Sequence, residues 1–260
     1  MNLFTFARQN RKLFLICILI FITGVVYVAH KNGYIFVPRT TAELNWKPEL
    51  LNGLTLRNGE LEDLNFENVT LKNVTFKEVI FRRPRFKNVI FKDCNFEGSR
   101  FIRGVYEEVL FKGGSMQPVT SFGRIEPQEL IYSQFSNVVL DGVKIHGGKL
   151  SGTGDLVIFK NMTDINGLGS HRPSFFSGTG NRVRIDNCIV KNTGFVHDEG
   201  KVYITNSTFH NASLAGSPDV AYIDKCYADS GITGAKICVA INSDLLALYF
   251  WGGEGVFYKQ

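Results

Sequence analysis

Only 2 Trp, 3 Met and 7 Pro occur among the 260 residues, and the 5 Cys form no CxxC pair. Cys17, Cys94, Cys188, Cys226 and Cys238 also keep none of the Cys/His spacings of a zinc site. Nothing in the chain calls for a cofactor. No Gly-rich phosphate loop and no nucleophile elbow is present. The net charge of +5 is too mild to argue for nucleic acid. Against those shortages stand 22 Phe and 26 Gly. That balance calls for many stacked apolar positions and many tight turns. Hydrophobic residues at 44% and charged residues at 20% exclude a disordered chain.

One long apolar run exists. Leu13 to Ala29 (LFLICILIFITGVVYVA) holds 17 residues without a charge. As a helix it measures about 25 Å, the short end for crossing a bilayer. Arg8, Arg11 and Lys12 precede it, which favours a cytoplasmic N-terminus and a translocated remainder. The expected organisation is a cytoplasmic tail (1–12), a transmembrane anchor in the lipid bilayer (13–29) and a spacer (30–50). The bulk then lies outside the cytoplasm, in the periplasm if the source is bacterial. A cleaved signal peptide is the competing reading, although Tyr27-Val28-Ala29 makes a poor cleavage site.

From Leu51 every fifth residue is large and apolar. The series includes Leu56, Leu61, Phe66, Leu71, Phe76, Phe81, Phe86, Phe91, Phe96, Phe101, Tyr106 and Phe111. A helix needs a period of 3.6 and a flat strand a period of 2, so neither fits. A chain that turns a corner every five residues does. The position two before each large residue is mostly small or β-branched, as at Val74, Val79, Val89, Cys94, Ser99 and Gly104. Asn58, Asp63, Asn68, Asn73, Asn88 and Asp93 follow two after, where Asn and Asp tolerate turn geometry.

Segments such as NVTLKNVTFKEVIF (68–81) and NVIFKDCNFEGSRF (88–101) make 51–115 resemble the pentapeptide-repeat family. That resemblance implies an all-β fold, a right-handed parallel β-helix of four sides and 20 residues per coil, with the Phe residues as core. One use of such repeats is mimicry of DNA toward a topoisomerase. That needs a strongly acidic surface, whereas 51–115 carries slightly more Lys and Arg than Asp and Glu. No nucleic-acid role is expected.

After Phe111 the phase slips, and 112–129 reads as a loop or distorted coil. The series resumes at Leu130, Phe135, Leu140, Ile145 and Leu150. Residues 166–182 read as a loop thrown out of a coil. Farther on, Ile185, Ile204 and Ile223 are 19 apart, and Cys188, Ser207 and Cys226 keep the same spacing. The region 116–243 is therefore expected to be a less regular β-helix. The tail 244–260, rich in aromatics, reads as a cap or an interaction surface.

If coils hold 20 residues, Lys72, Lys92 and Lys112 stack into a basic column, while Glu67, Lys87 and Glu107 form a self-neutralising one. With Arg82, Arg83 and Arg103 the lysines are the candidate binding face. Its partner would be an envelope protein or an anionic polysaccharide. Candidates for chemistry are Asp186, Lys191, His197, Asp198, Glu199, His210 and Asp224, with no adjacent Asp-Asp pair among them. Cys188 and Cys226, two coils apart, should be free and buried unless Cys238 approaches one of them. The sequons at Asn68, Asn73, Asn161, Asn206 and Asn211 arise readily from a repeat rich in Asn and Thr. The leading expectation is a non-enzymatic, anchored β-solenoid that binds protein or serves as structure. The alternatives are a polysaccharide-binding or polysaccharide-modifying β-helix, and an envelope-complex subunit docked through its tail.

Overall fold

Five-residue periodicity with one large inward side chain per period predicts straight three-residue segments joined by corners. The structure, a computed structural model, has this form. It describes residues 34–35, 48–121, 124–126, 129–147, 149–167, 174–215, 217–229, 232–233, 235–246, 248–249 and 254–258. The anchor 13–29 and most of the spacer 30–50 lie outside them. Among the described residues no helix is long and apolar enough to cross a membrane.

The first coil has four sides, Thr55–Arg57, Glu60–Glu62 and the two halves of Asn65–Lys72. Each pairs in parallel with the segment one coil on, as Phe76 with Leu56, Phe81 with Leu61, Phe86 with Phe66 and Phe91 with Leu71. The corners fall two residues after each large residue. Asn58, Asp63, Asn68, Asn73, Glu78, Arg83, Asn88 and Asp93 all have φ between 50 and 55°. Asn and Asp reach this left-handed region at low cost. Glu78 and Arg83 reach it against a penalty of about 1–2 kcal/mol that only the surrounding coil offsets.

Every member of the series from Leu51 to Phe111 is buried. Phe rings stack from coil to coil, Phe81 on Phe101 at 4.2 Å and Phe91 on Phe111 at 4.9 Å between centroids. Within a coil neighbouring sides meet edge to face, as Phe76 and Phe81 do at 5.3 Å. Such pairs contribute about 0.5–1.5 kcal/mol beyond their burial.

The segment expected as a loop or distorted coil, 112–129, and the described C-terminal half of the one expected as a loop, 166–182, are largely strand. Lys112 to Gln117 continues the ladder, with Met116 buried and paired to Phe96 and Ile145. Gly113 is an ordinary corner at φ 64°. Gly114 fills the small inward slot, where a Cβ would lie 1.9 Å from the Cys94 carbonyl oxygen. Beyond Gln117 the described residues include an antiparallel hairpin, Val119–Ser121 with Arg124–Glu126. Likewise Ser174–Asp186 is one 13-residue strand. Its SGTGN lies on SGTGD of the strand Lys149–Lys160, Gly178 against Gly152 and Gly180 against Gly154. These glycines permit close packing between backbones, since a Cβ on Gly180 would meet the Gly154 oxygen at 1.7 Å. Glycine suggested loop here because the sequence does not show how near the next coil runs.

No left-handed corner interrupts Lys149–Lys160, so the second, third and fourth sides merge into one strand there. From Ile189 each coil has three strands: Ile189–Lys191, Gly194–Asp198, Lys201–Thr205, and their successors. Coils also shorten. The equivalent bonds Val79 N–Ser99 Oγ, Cys188 N–Ser207 Oγ and Cys226 N–Ser243 Oγ span 20, 19 and 17 residues. The tail adds further rungs, with Glu254–Tyr258 paired to Ile237–Ile241. The aromatic side chains in it lie outside the described residues.

Candidate functional site

A solenoid stacks outward residues into columns about 4.8 Å apart. On the fourth side Lys72, Lys92 and Lys112 occupy adjacent rungs in direct register, all exposed. Among the described residues none of them has an ion-pair partner, whereas the next two rungs, Asp141 and Lys160, pair with each other at 3.3 Å. On the third side Glu67, Lys87 and Glu107 are in register, and Lys87 reaches Glu67 at 4.0 Å.

The candidate arginines lie elsewhere. Arg82 projects from the second side and bonds Glu60. Arg83 stands at the corner beyond it and grips Asp63 with two bonds of 2.9 Å, plus Glu62 at 2.7 Å. The guanidinium holds the Asp63 carboxyl below the usual carboxylate range, and the two acids raise Arg83. Arg103 is exposed at the same corner one coil on. The six basic residues thus occupy two sides and a corner, and the lysine column alone is a continuous basic strip.

The candidates for chemistry are scattered. Asp186 and Asp224 share the fourth side with Thr205 between them, as the spacing implied. Asp186 accepts bonds from Thr205 Oγ1 at 2.6 Å and Asn206 Nδ2 at 3.0 Å, which hold its carboxyl below the usual range. Lys191 and His210 are in register on the first side, and His210 Nδ1 lies 3.1 Å from Asp229. Asp198 accepts the Ser217 amide at 2.9 Å, and Glu199 is a corner at φ 67°. The His197 backbone belongs to the strand Gly194–Asp198, and its side chain lies outside the description. These acids cap backbone and bind neighbouring rungs. Ladders such as Asn187 Nδ2 to Asn161 Oδ1, 2.9 Å, do the same. All five sequon asparagines sit at left-handed corners, so the geometry that selects Asn also creates the triplets.

The described cysteines are free and buried. Cys94, Cys188 and Cys226 occupy the small inward slot that Ser207 fills in another coil and Ser99 on the next side, with the thiol directed at the backbone one coil below. Burial pushes all four thiols up to about 11, so they are inert at neutral pH.

A cleft of about 380 Å³ interrupts the third side where the corner flattens, and a second recess of about 390 Å³ lies beside it at Arg103, Gly104 and Tyr132. Thr153, Thr179, Gly154 and Gly180 form part of the lining of the cleft, and Glu107, Asp155 and Glu199 stand around it. Asn181 bonds Asp155 at 2.9 Å. Nothing in the sequence pattern announced it, because it follows from the loss of a corner rather than from any motif. Among the described residues no group of three His, Cys, Asp or Glu is arranged to hold a metal ion.

No curated protein matches the chain. Among solved structures it is similar to HetL, a pentapeptide repeat protein involved in heterocyst differentiation regulation from the cyanobacterium Nostoc sp. strain PCC 7120. That likeness has 9% identity and a TM-score of 0.30, over 76% of this chain and 87% of that one. It is also similar to QnrB1, a plasmid-mediated fluoroquinolone resistance protein, with 12% identity and a TM-score of 0.20 over 85% of this chain and 86% of that one. Likenesses this remote say nothing of function. The model of the family described as pentapeptide repeats matches residues 61–106 in 9 copies, so this segment is a run of pentapeptide repeats within a parallel β-solenoid.

Proposed function

We propose that the protein is a non-catalytic binding module. In this reading residues 13–29 anchor it in a membrane and hold the solenoid outside the cytoplasm, where an envelope protein or anionic polymer docks along its surface. The observation that carries it is the lysine column: three ammonium groups on adjacent rungs, held in line by the backbone ladder and without acidic partners among the described residues. Like charges in line cost stability in isolation, so a partner that neutralises them is favoured. The absence of catalysis is supported by the spread of Asp186, Lys191, Asp198 and His210 over different sides, each bonded into the ladder or in register with a neighbour. Glu107 and Glu199 on the rim of the cleft, beside an Asp155 already paired with Arg182 at 3.9 Å, disfavour a uronate polymer, so such a ligand fits the lysine strip better.

Capture of partners from native membranes by the full chain tests this. The triple variant Lys72→Glu/Lys92→Glu/Lys112→Glu should lose the partner while its circular dichroism stays that of the parent. Equal recovery would end the proposal for this face. Protease added to cells whose outer envelope has been opened and whose cytoplasmic membrane is intact should reach the solenoid. Under the same conditions a membrane-impermeant lysine reagent should modify Lys72, Lys92 and Lys112. Protection from both, with both reactions restored on lysis, would refute the placement outside the cytoplasm.

A further inference from the structure

The fourth side differs from the others in its central outward column. From the first coil upward that column reads Thr70, Ile90, Leu110, Val139, Ile158, Arg184, Tyr203, Tyr222 and Val239, in unbroken parallel register. The equivalent column of the first side reads Thr55, Thr75, Asn95, Ser115 and Lys144. On the third side it reads Asn65, Arg85, Val105, Gln134 and Thr153. The apolar members of the fourth-side column are half-buried among their neighbours and keep an open outer surface. Tyr203 and Tyr222 lie 6.3 Å apart, and the Arg184 guanidinium sits 5.6 Å from the Tyr203 ring centre. A strip of Ile, Leu, Val and Tyr along a whole sheet face marks a surface that is covered.

The flanking column identifies the cover. It runs Lys72, Lys92, Lys112, Asp141, Lys160, Asp186, Thr205, Asp224: basic at one end and acidic at the other. A twofold axis along the strand direction, midway between the rungs of Asp141 and Lys160, lays this column on its own reverse. Lys72 then meets Asp224 of the second copy, Lys112 meets Asp186, and Asp141 meets Lys160. On the opposite flank Glu108 meets Arg182. No rung opposes like charges. In the centre Ile90 meets Tyr203, and Val139 meets Ile158. Both copies share one rung spacing, so eight rungs match without slippage.

We propose that the fourth side is a homodimer interface, with two solenoids packed face to face and antiparallel. The proposal rests on the reading of the protein as a binding module and names the partner of the lysine column as a second copy. Eight rungs at about 4.8 Å cover about 38 Å, and five residues of each strand are about 16 Å wide, so about 1,200 Å² is buried in total. That is the low end of a specific interface, and a dissociation constant of about micromolar is expected.

The test is sedimentation of the full chain in mild detergent over a range of concentrations. Wild type should pass from monomer to dimer. Lys72→Glu and Asp224→Lys should each weaken the dimer by about tenfold, since each contact occurs twice. The double variant Lys72→Glu/Asp224→Lys should regain affinity close to wild type. Tyr203→Lys should abolish the dimer with unchanged circular dichroism. A wild type monomeric at about 100 micromolar overturns the proposal, as does a double variant no better than the singles. If the lysine variants lose an envelope partner while wild type stays monomeric, the second copy is excluded and the binding-module reading survives.

Discussion

Between Leu56 and Lys112 each coil has four corners and repeats every 20 residues; from Ile189 each coil has three strands and repeats every 19, then 17. The core changes with the section. On the first side Leu56, Phe76 and Phe96 give way to Val190, Phe209 and Ala228, and on the fourth Phe91 and Phe111 give way to Ile204, Ile223 and Ala240. The four-cornered section is filled mainly by Phe with some Leu, and the three-strand section mainly by aliphatics and alanine, with Phe195 and Phe209 remaining, as expected if losing a corner reduces the volume to be filled. The inward small slot is unchanged, since Ser99, Ser207 and Ser243 each accept an amide from the coil below. The ladder is thus conserved through the chain while the cross-section varies.

The largest expected effect separates the two cores. Phe81→Ala removes a ring stacked at 4.2 Å on Phe101 and should cost about 3–5 kcal/mol. On the fourth side, Ile204→Phe should overpack the narrow section and cost about 1–3 kcal/mol, whereas Leu71→Phe in the wide section should cost less. Equal losses of urea midpoint for these last two variants would contradict the volume argument. Next is Gly180→Ala, at the junction of the two sections. Its Cβ would fall 1.7 Å from the Gly154 oxygen, so about 3 kcal/mol of overpacking should appear as a lower Tm.

The shared slot gives a third test. Ser99→Ala and Ser207→Ala each strand a buried amide, of Val79 and of Cys188, and each should cost about 1–3 kcal/mol. A clear difference between them would show that the ladder is not equivalent in the two regions. A smaller effect is a gain: Glu78→Asn relieves a left-handed corner at φ 55° and should stabilise the wide section by about 1 kcal/mol.

The last test is acid. The carboxyls of Asp63 in the wide section and Asp186 in the narrow one are held low, the first by Arg83 and the second by Thr205 and Asn206. A depressed folded pKa contributes stability above the unfolded value, about 4, and that contribution disappears as pH falls through the folded value. Both sections should therefore weaken below about pH 4, and Asp186→Asn should reduce the acid sensitivity of the narrow one. A melting profile flat from pH 5 to 2 would refute this.

Legibility followed the physics of burial. Phe66 to Phe111 could be placed inside because one large residue in five leaves no other period. Lys72, Lys92 and Lys112 could be placed in line because a constant coil length makes register a matter of counting. Met116 was missed because Gly113 and Gly114 resembled a loop, although one is a corner and the other a filled slot. The cleft beside Thr153 and Thr179 was not legible, since a flattened corner leaves no pattern.

By itself the sequence determined the period, the inward set and the corners, because each depends on residues within one coil. Only the tertiary structure decided which outward residues share a rung once coil length changes. The hairpin at Val119–Glu126, the merged strand at Lys149–Lys160 and the shorter coils beyond Ile189 break the count of twenty. Backbone pairing between coils, rather than spacing along the chain, therefore puts Asp186 and Asp224 on the column that begins at Lys72.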